Sequence, residues 1–285
     1  MITPKITNLG CSNLWTDMST ILGYASNSQK LITKLFANGE QGFFYDPSDL
    51  STMFQNAAGT IPVTAAGQLV GLIRDKSGRN NHAYQTASAS RPLLQRNATT
   101  GAYYLAFDGA DDFLQTNNID FTATNKMSLF AGLNRTGNAT VGTVLETGAY
   151  FNVPTGGFGI QFPTQTGGSA SNLLASAGGL TVRTGSVISP DMLVYSGFLD
   201  LSKTTAIKQV NFKVNGVLVN TGRAGLAGNA NFANVPVYIG RRGNTTSPFK
   251  GHIYSLIGIG RLTSDSETIA LEKAIAKRTG VTLSV

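Results

Sequence analysis

Apolar and polar side chains alternate in the stretch AYYLAFDGADDFLQT, residues 102–116. Tyr103, Leu105 and Phe107 fall on one face of an extended segment, which is the period of a β-strand. The Gly-Ala-Asp-Asp sequence that follows is typical of a tight turn, because Gly reaches positive φ and Asp closes an Asx turn. Leu114 then resumes the apolar pattern. The stretch therefore predicts a strand, an acidic turn and a second strand.

Short apolar segments of this kind recur along the chain between connections rich in Gly, Ser, Thr and Asn. In VNFKVNGVLVN, the pair Asn215-Gly216 is the preferred sequence for a two-residue type I′ hairpin turn. Residues 253–259 are almost continuously apolar and predict a buried central strand. Charged residues make up 13% of the chain, about half the usual fraction of ~25%. This composition favours a single β-sandwich domain over a helical fold.

A helix is predicted on each side of this β-rich body. Apolar residues at three-to-four spacing predict the first helix over about residues 21–37. Ser264 and Glu267 form a capping box that begins a short C-terminal helix. We therefore expect residues 1–40 to form an N-terminal arm and helix, which either packs on its own domain or docks on a partner. Residues 41–285 are expected to form the sandwich.

The charge distribution and the single cysteine argue against several classes of protein. The net charge is +7, but the basic residues are scattered, with only Arg241-Arg242 and Lys277-Arg278 adjacent, so we expect no nucleic-acid partner. Cys11 stands alone, which excludes a disulfide framework within the chain. The N-terminus does not resemble a signal peptide, and no apolar run reaches the ~20 residues of a membrane span. Synthesis in a cytoplasm and no membrane partner are expected.

The acidic and histidine residues do not form a known catalytic motif. A retaining glycosidase needs two carboxylates about 5 Å apart, whereas Glu146 and Asp200 each stand alone on their predicted strands. His82 and His252 are the chain's only histidines, and no G-x-S-x-G sequence accompanies them. We therefore predict no enzyme activity and no cofactor. A second carboxylate facing Glu146 in a cleft would revive the glycosidase hypothesis.

Several segments, taken in order, resemble the laminin-G-like, concanavalin-A-like jelly roll. They are DKSGRNNHAYQ (75–85), AFDGADDFLQT (106–116), the VNGVLVN hairpin, VYIGRRG, and FKGHIYSLIGIGRLTSDSE (249–267). The resemblance covers about residues 70–285. It implies a mainly β fold, an antiparallel β-sandwich of the jelly-roll type, with the N-terminal helix and the short C-terminal helix added to it.

The upstream sequence LFANGEQGFFYDPSDLSTMFQ (35–55), together with GQLVGLIRDKSGRNNHA, resembles structural proteins of tailed bacteriophages. This resemblance implies a non-enzymatic virion subunit, in the tail, the baseplate or the head decoration, that acts in assembly or host attachment. Its partners would be other phage structural proteins and further copies of the chain. Its location would be the virion, after synthesis in the bacterial cytoplasm.

The laminin-G-like resemblance also leaves an alternative open. In this alternative the chain is a lectin-like module that binds bacterial surface glycan, with or without Ca²⁺. Such domains hold Ca²⁺ at the loop rim through Asp and Asn oxygens. Asp75, Asn80, Asp108, Asp111 and Asp112 are of the right type, but none has the spacing of a calcium-binding loop. Turns that favour Asp remain the other interpretation of these residues. Tyr103, Tyr104, Tyr150 and Tyr238 are the aromatic residues that a glycan site could use.

Overall fold

The computed structural model describes residues 31–150, 156–177, 179–184, 187–219, 223–243 and 245–284. Within these residues the strands, in chain order, are β1 (Gly42–Tyr45), β2 (Met53–Phe54), β3 (Leu72–Ile73), β4 (Ala83–Tyr84), β5 (Leu93–Arg96), β6 (Tyr103–Asp108), β7 (Leu114–Thr116), β8 (Ile119–Asp120), β9 (Lys126–Arg135), β10 (Thr143–Thr147), β11 (Phe158–Gln161), β12 (Ala170–Ala177), β13 (Leu180–Thr184), β14 (Val187–Ile188), β15 (Met192–Asp200), β16 (Val210–Val214), β17 (Val217–Leu218), β18 (Arg223–Gly225), β19 (Asn234–Val235), β20 (Val237–Ile239) and β21 (Lys250–Ile259). The helices are α1 (residues 31–35), α2 (Ala206–Gln209) and α3 (Asp265–Thr279).

The strands form two antiparallel sheets packed face to face. The first sheet has the order β17-β16-β15-β9-β21-β6-β5, and β1 also pairs with β21. The second has the order β18-β13-β12-β11-β10-β20-β7-β4-β3-β2, with β14 beside β12, and β8 pairs with β19 separately. The predicted mainly β sandwich is therefore confirmed. None of the described helices has the length and apolar composition to cross a membrane.

The core between the sheets is filled by every second residue of the strands. On β6, Leu105 and Phe107 are buried while Tyr104 and Ala106 are half-buried and Asp108 is exposed. This is the predicted alternation, and it follows from the period of two that a pleated strand imposes. The buried residues of both sheets form one continuous apolar cluster, whose removal from water is the main force that holds the sheets together.

The strand–turn–strand predicted at residues 102–116 is present, but its two strands belong to different sheets. β6 pairs with β5 and β21 in the first sheet, and β7 pairs with β4 and β20 in the second. The connecting turn contains Gly109 at φ 78°, and the Asp112 carboxylate accepts a hydrogen bond from Asp108 N at 2.9 Å. A hairpin and a connection between facing sheets share the same apolar period, so the alternation did not distinguish them.

Two other local predictions are confirmed. β16 and β17 form a hairpin in which Asn215 and Gly216 have φ values of 54° and 85°, as a type I′ turn requires. β21 lies between β9 and β6, and Ile253 to Ile259 are buried throughout. The strand is buried on both faces because the outer face of the first sheet is itself covered.

The cover over the first sheet is a second apolar layer made by α1 and α3. Ile32, Leu35 and Phe36 from the N-terminal side pack with residues of α3 and of the sheet, which are Phe44, Phe130, Val194, Ile257, Ile259, Leu271, Ile275 and Ala276. The described end of the predicted N-terminal helix therefore packs on the sandwich. Residues 1–30, the remainder of the expected arm, lie outside the described residues.

Arg261 ties this layer together where β21 ends. Its guanidinium donates to both carboxylate oxygens of Glu267, at 2.9 and 3.0 Å, and to Glu40 at 2.9 Å. Glu267 also completes the predicted capping box with Ser264. The hydrogen bonds from Arg261 lower the pKa of Glu267 to about 2, against the opposing effect of burial. The start of α3 is thus held by a charge-assisted, bidentate contact.

We expect Glu267→Gln to lower the free energy of unfolding by about 1–3 kcal/mol at pH 7. The folded-state pKa is about 2 and the ordinary value is 4.5, so the contribution of the carboxylate is complete above pH 4.5 and is lost as the pH falls towards 2. The difference between wild type and variant should shrink over that window in urea unfolding curves. Asp265→Asn, at an exposed acid of the same turn, is the control. A pH-independent difference would contradict the assignment.

Candidate functional site

An open pocket of about 660 Å³ lies on the outer face of the second sheet, where β3, β4 and β7 pair side by side. Its volume falls within the range of about 300–1,000 Å³ that is usual for ligand sites. Its walls are formed by loop residues 57–59 and by Leu72, Arg74, Asp75, Asn80, His82, Tyr84 and Asn117. We call this set the rim pocket.

The period of two explains why these residues share one face. Ile73 on β3 and Ala83 on β4 point into the core. Their neighbours in sequence, Leu72 and Arg74 on one strand and His82 and Tyr84 on the next, therefore point outward. In the same way Asn117 lies one residue beyond Thr116, whose side chain is buried.

The far wall of the rim pocket is a tight loop between β2 and β3. Gly59 has φ +70°, and a Cβ added to it would lie 2.9 Å from Leu72 Cδ2. Asn56 holds the loop, since its side-chain oxygen accepts hydrogen bonds from Thr60 N and Ile61 N. The loop approaches the strand closely because residue 59 has no side chain.

The floor beside β3 is organised by the buried carboxylate of Asp75. Its oxygens accept hydrogen bonds from Phe44 N at 2.8 Å, Ser77 N at 2.8 Å, Ser77 Oγ at 2.6 Å and Asn81 N at 3.0 Å. Burial, and then the Asp75 charge, raise the pKa of Tyr45 well above its usual value, so the phenol stays protonated and donates to Asn81 O at 2.5 Å. The loop of residues 75–81 is therefore fixed onto β1.

The polar side chains of the rim pocket keep donors and acceptors for a ligand. Asp75 N donates to His82 Nδ1 at 3.1 Å, so a neutral His82 ring carries its proton on Nε2. Tyr84 is half-buried, and its hydroxyl donates to Asn117 Oδ1 at 3.1 Å. The Asn117 amide nitrogen remains a donor at the exposed edge of the pocket.

Arg74 is the cationic group at the mouth of the rim pocket. Its guanidinium carbon lies 4.5 Å from the centre of the Phe54 ring. In the described part of the chain no carboxylate lies within the 4.0 Å distance of an ion pair from Arg74. The pocket thus combines a half-buried aromatic ring, the hydrogen-bonding groups of His82 and Asn117, and one guanidinium.

The carboxylates considered as calcium ligands accept hydrogen bonds from different groups of the protein. Asp75 uses its carboxylate for the four donors described above. In the turn after β6, Asp108 accepts from Ala110 N at 2.7 Å, and Asp111 accepts from Ser90 Oγ. Burial, followed by the charges of Asp108 and Asp111, raises the pKa of Asp112 to about 6. Among the described residues, no group of three or more His, Cys, Asp or Glu side chains is arranged to hold a metal ion.

Glu146 lies further along the outer face of the second sheet, on β10. It is fully buried, and Arg242 Nε lies 3.3 Å from its Oε2. Arg242 also stacks on Tyr150 at 4.3 Å, and the neighbouring Arg241 stacks on Phe113 at 3.5 Å. The ionic neighbour described for Glu146 is thus a cation. The absence of enzyme activity stays a prediction.

The four tyrosines considered from the sequence are all half-buried on the strands or at their ends: Tyr103, Tyr104, Tyr150 and Tyr238. Tyr104 stacks on His252 with ring centres 4.1 Å apart, on the outer face of the first sheet. Burial lowers the pKa of His252, so this ring is neutral at physiological pH. None of the four tyrosines lines the rim pocket.

A second cleft, of about 370 Å³, lies between α1, α3 and β1. Its polar side chains are already paired with one another. Asp46 lies 2.7 Å from Arg278 and 3.3 Å from Lys76, and Lys76 lies 2.7 Å from Asp49. Because its remaining wall is apolar, this cleft offers few groups to a polar ligand, and the rim pocket is the better candidate.

Sequence reasoning missed Arg74, Tyr84 and Asn117 and considered His82 only as a possible catalytic residue. The available signal was the pattern His-Ala-Tyr, in which a small apolar residue separates two polar aromatic ones. That pattern places His82 and Tyr84 on one outward face of a strand. The convergence with Asn117 depends on the pairing of β4 with β7, which no local pattern gives.

No family model and no curated protein sequence matches this chain. Among solved structures, an arabinofuranosidase complexed with arabinofuranosyl-alpha-1,2-xylobiose is similar, with a TM-score of 0.52 and 12% identity. The match covers 87% of this chain and 65% of the arabinofuranosidase chain. This chain therefore spans less than two thirds of the length of the arabinofuranosidase. The two share a fold.

Two further similarities are weaker. A binding domain of botulinum neurotoxin DC in complex with SialylT has a TM-score of 0.49 and 10% identity, with 71% of this chain and 48% of that chain covered. The CBM40 of Ruminococcus gnavus IT-sialidase bound to alpha2,3 sialyllactose has a TM-score of 0.39 and 15% identity, with 55% and 97% covered.

We expect Asp75→Asn to lower the free energy of unfolding by about 1–3 kcal/mol, because the amide nitrogen would face a donor and leave it unsatisfied. Chemical denaturation at pH 7 measures the change. Asp108→Asn, at an exposed turn residue that accepts one backbone hydrogen bond, is the matched control and should change stability by less than about 1 kcal/mol. Equal effects of the two substitutions would contradict the role of Asp75.

We expect Asp112→Asn to stabilise the protein at pH 7 by about 1–3 kcal/mol and to have little effect at pH 4. The folded-state pKa of about 6 lies above the ordinary 3.8, so the wild type loses stability as the pH rises between these values. The asparagine stays neutral and still accepts from Asp108 N. Thermal unfolding across pH 4–7 tests this, with Asp265→Asn as a control that should show no gain.

Proposed function

We propose that the chain is a carbohydrate-binding module and that the rim pocket is its ligand site. The observation that carries the proposal is the combination, in one open pocket, of the Tyr84 ring with the His82, Asn117 and Arg74 side chains. A sugar presents a C–H face, which packs on an aromatic ring, and a rim of hydroxyls, which need placed donors and acceptors. The pocket supplies both.

The rigidity of the pocket supports the same proposal. Asp75 fixes the loop of residues 75–81, Gly59 permits close packing of the opposite loop, and Tyr84 is bonded to Asn117. Side chains that are already held in place lose little conformational entropy when they bind. A saccharide makes weak individual contacts with protein, so it benefits from a site that is formed before the ligand arrives.

The comparison with known structures is in keeping with a saccharide ligand. The arabinofuranosidase that shares this fold was solved with a bound arabinofuranosyl-xylobiose. At 12% identity this likeness concerns the fold, and the proposal rests on the side chains of the rim pocket.

The virion role implied by the phage resemblance remains a proposal beside this one. A subunit that attaches a particle to a cell surface needs a contact with surface polymers, and a glycan site would provide it. The two roles are therefore compatible. Other phage structural proteins, further copies of the chain and a place in the virion stay predictions.

We expect a glycan screen to find ligands that Tyr84→Ala or Asn117→Ala weakens at least tenfold, about 1.4 kcal/mol, because the ring face or the amide contact is lost. Titration calorimetry measures the affinities. Tyr104→Ala, at a half-buried tyrosine of the first sheet, is the matched control and should bind normally. Unfolding curves check that each variant is folded.

Two outcomes would contradict the proposal in different ways. Silence of the screen, both with and without added Ca²⁺, would count against carbohydrate binding altogether. A ligand whose affinity falls in Tyr104→Ala and not in Tyr84→Ala would place the site on the first sheet.

A further inference from the structure

We infer that the saccharide bound by the rim pocket is acidic and that Arg74 binds its carboxylate. This inference rests on the proposed carbohydrate-binding function and names the class of ligand. It starts from the environment of Arg74, which differs from that of most other arginines in the described residues.

Five other arginines of the described chain have protein partners for their N–H groups. Arg135, Arg261 and Arg278 each form an ion pair with a carboxylate. Arg79 and Arg91 donate to backbone carbonyl oxygens. Arg74 is exposed and its described side-chain contact is the face of the Phe54 ring, so its N–H groups are available to a ligand.

The acids near Arg74 in sequence do not neutralise it. Asp75 is the next residue, but both oxygens of its buried carboxylate are occupied by donors. The carboxylates of Asp46 and Asp49 pair with the next cation along the chain, Lys76. Arg74 therefore keeps a net positive charge at the mouth of the pocket, within a chain of net charge +7.

The geometry of Arg74 is suited to a carboxylate. A ring stacked on one face of a guanidinium restricts its plane and leaves the N–H groups at the edge to donate. Two parallel N–H groups match the two oxygens of a carboxylate. The His82 and Asn117 side chains lie in the same pocket and are suited to the hydroxyls of the same sugar.

The experiment compares acidic saccharides with their neutral counterparts by titration calorimetry of the full chain. The pairs are trigalacturonate with galactotriose and sialyllactose with lactose, and sulfated lactose tests an anion of different shape. We expect at least one carboxylate-bearing saccharide to bind tenfold or more tightly than its neutral counterpart and than the sulfated sugar. Arg74→Gln should remove that preference, weakening the acidic saccharide more than its neutral counterpart.

Arg96→Gln is the matched control, because Arg96 is also exposed and lies over an aromatic ring, Tyr103, at 5.6 Å, but on the first sheet. It makes the same change in net charge and should leave the preference intact. Loss of the preference for acidic saccharides in both variants would assign that preference to the overall charge of the protein and overturn the role of Arg74.

The remaining outcomes separate this inference from the proposed function. Equal binding of acidic and neutral sugars, or tightest binding of the sulfated sugar, would overturn the inference and leave carbohydrate binding in place. A preference for acidic sugars that survives in Arg74→Gln would assign the carboxylate to another residue. Failure to bind any sugar of either kind would overturn both.

Discussion

The buried carboxylate of Asp75 links the two sheets and the candidate site. Through Phe44 N it joins the loop after β3, in the second sheet, to β1, in the first sheet, while Lys76 N donates to Phe44 O in return. The backbone N–H of Asp75 donates to His82 Nδ1 and fixes the orientation of that ring. A buried charge is tolerated only where donors surround it, so the four hydrogen bonds to the Asp75 carboxylate hold the loop in this arrangement. The shape of the rim pocket is a consequence of that requirement.

The two outer faces of the sandwich differ in polarity, and this difference decides which of them must be covered. The first sheet presents Phe130, Val194 and Ile257 outward, and these residues must be covered, which α1 and α3 do. The second sheet presents Tyr84 and Gln115 at its outer face beside β3 and β7, and these residues can stay in contact with water. Around the rim pocket, no helix of the described residues packs on β3, β4 or β7, so a pocket with free polar groups can exist there.

The local parts of the fold could be predicted, and the parts that depend on pairing could not. The hairpin at Asn215-Gly216, the buried strand ending at Ile259 and the capping box at Ser264 all follow from residues close in sequence. The sheet to which a strand belongs depends on partners far along the chain. The alternation at residues 102–116 therefore predicts two successive strands but does not show that they belong to different sheets. The rim pocket was missed for the same reason, since Asn117 meets Tyr84 only through strand pairing.

The passage of the chain from one sheet to the other at residues 108–113 bears on how the protein folds. A hairpin can form from its own turn, whereas β6 and β7 do not pair with each other. Besides the nearby β5 and β4, β6 pairs with β21, about 145 residues away in sequence, and β7 pairs with β20. Contacts of such long sequence separation carry a large loop-closure entropy and slow the folding reaction. We therefore expect the acidic turn to become ordered only when strands of both sheets have begun to assemble.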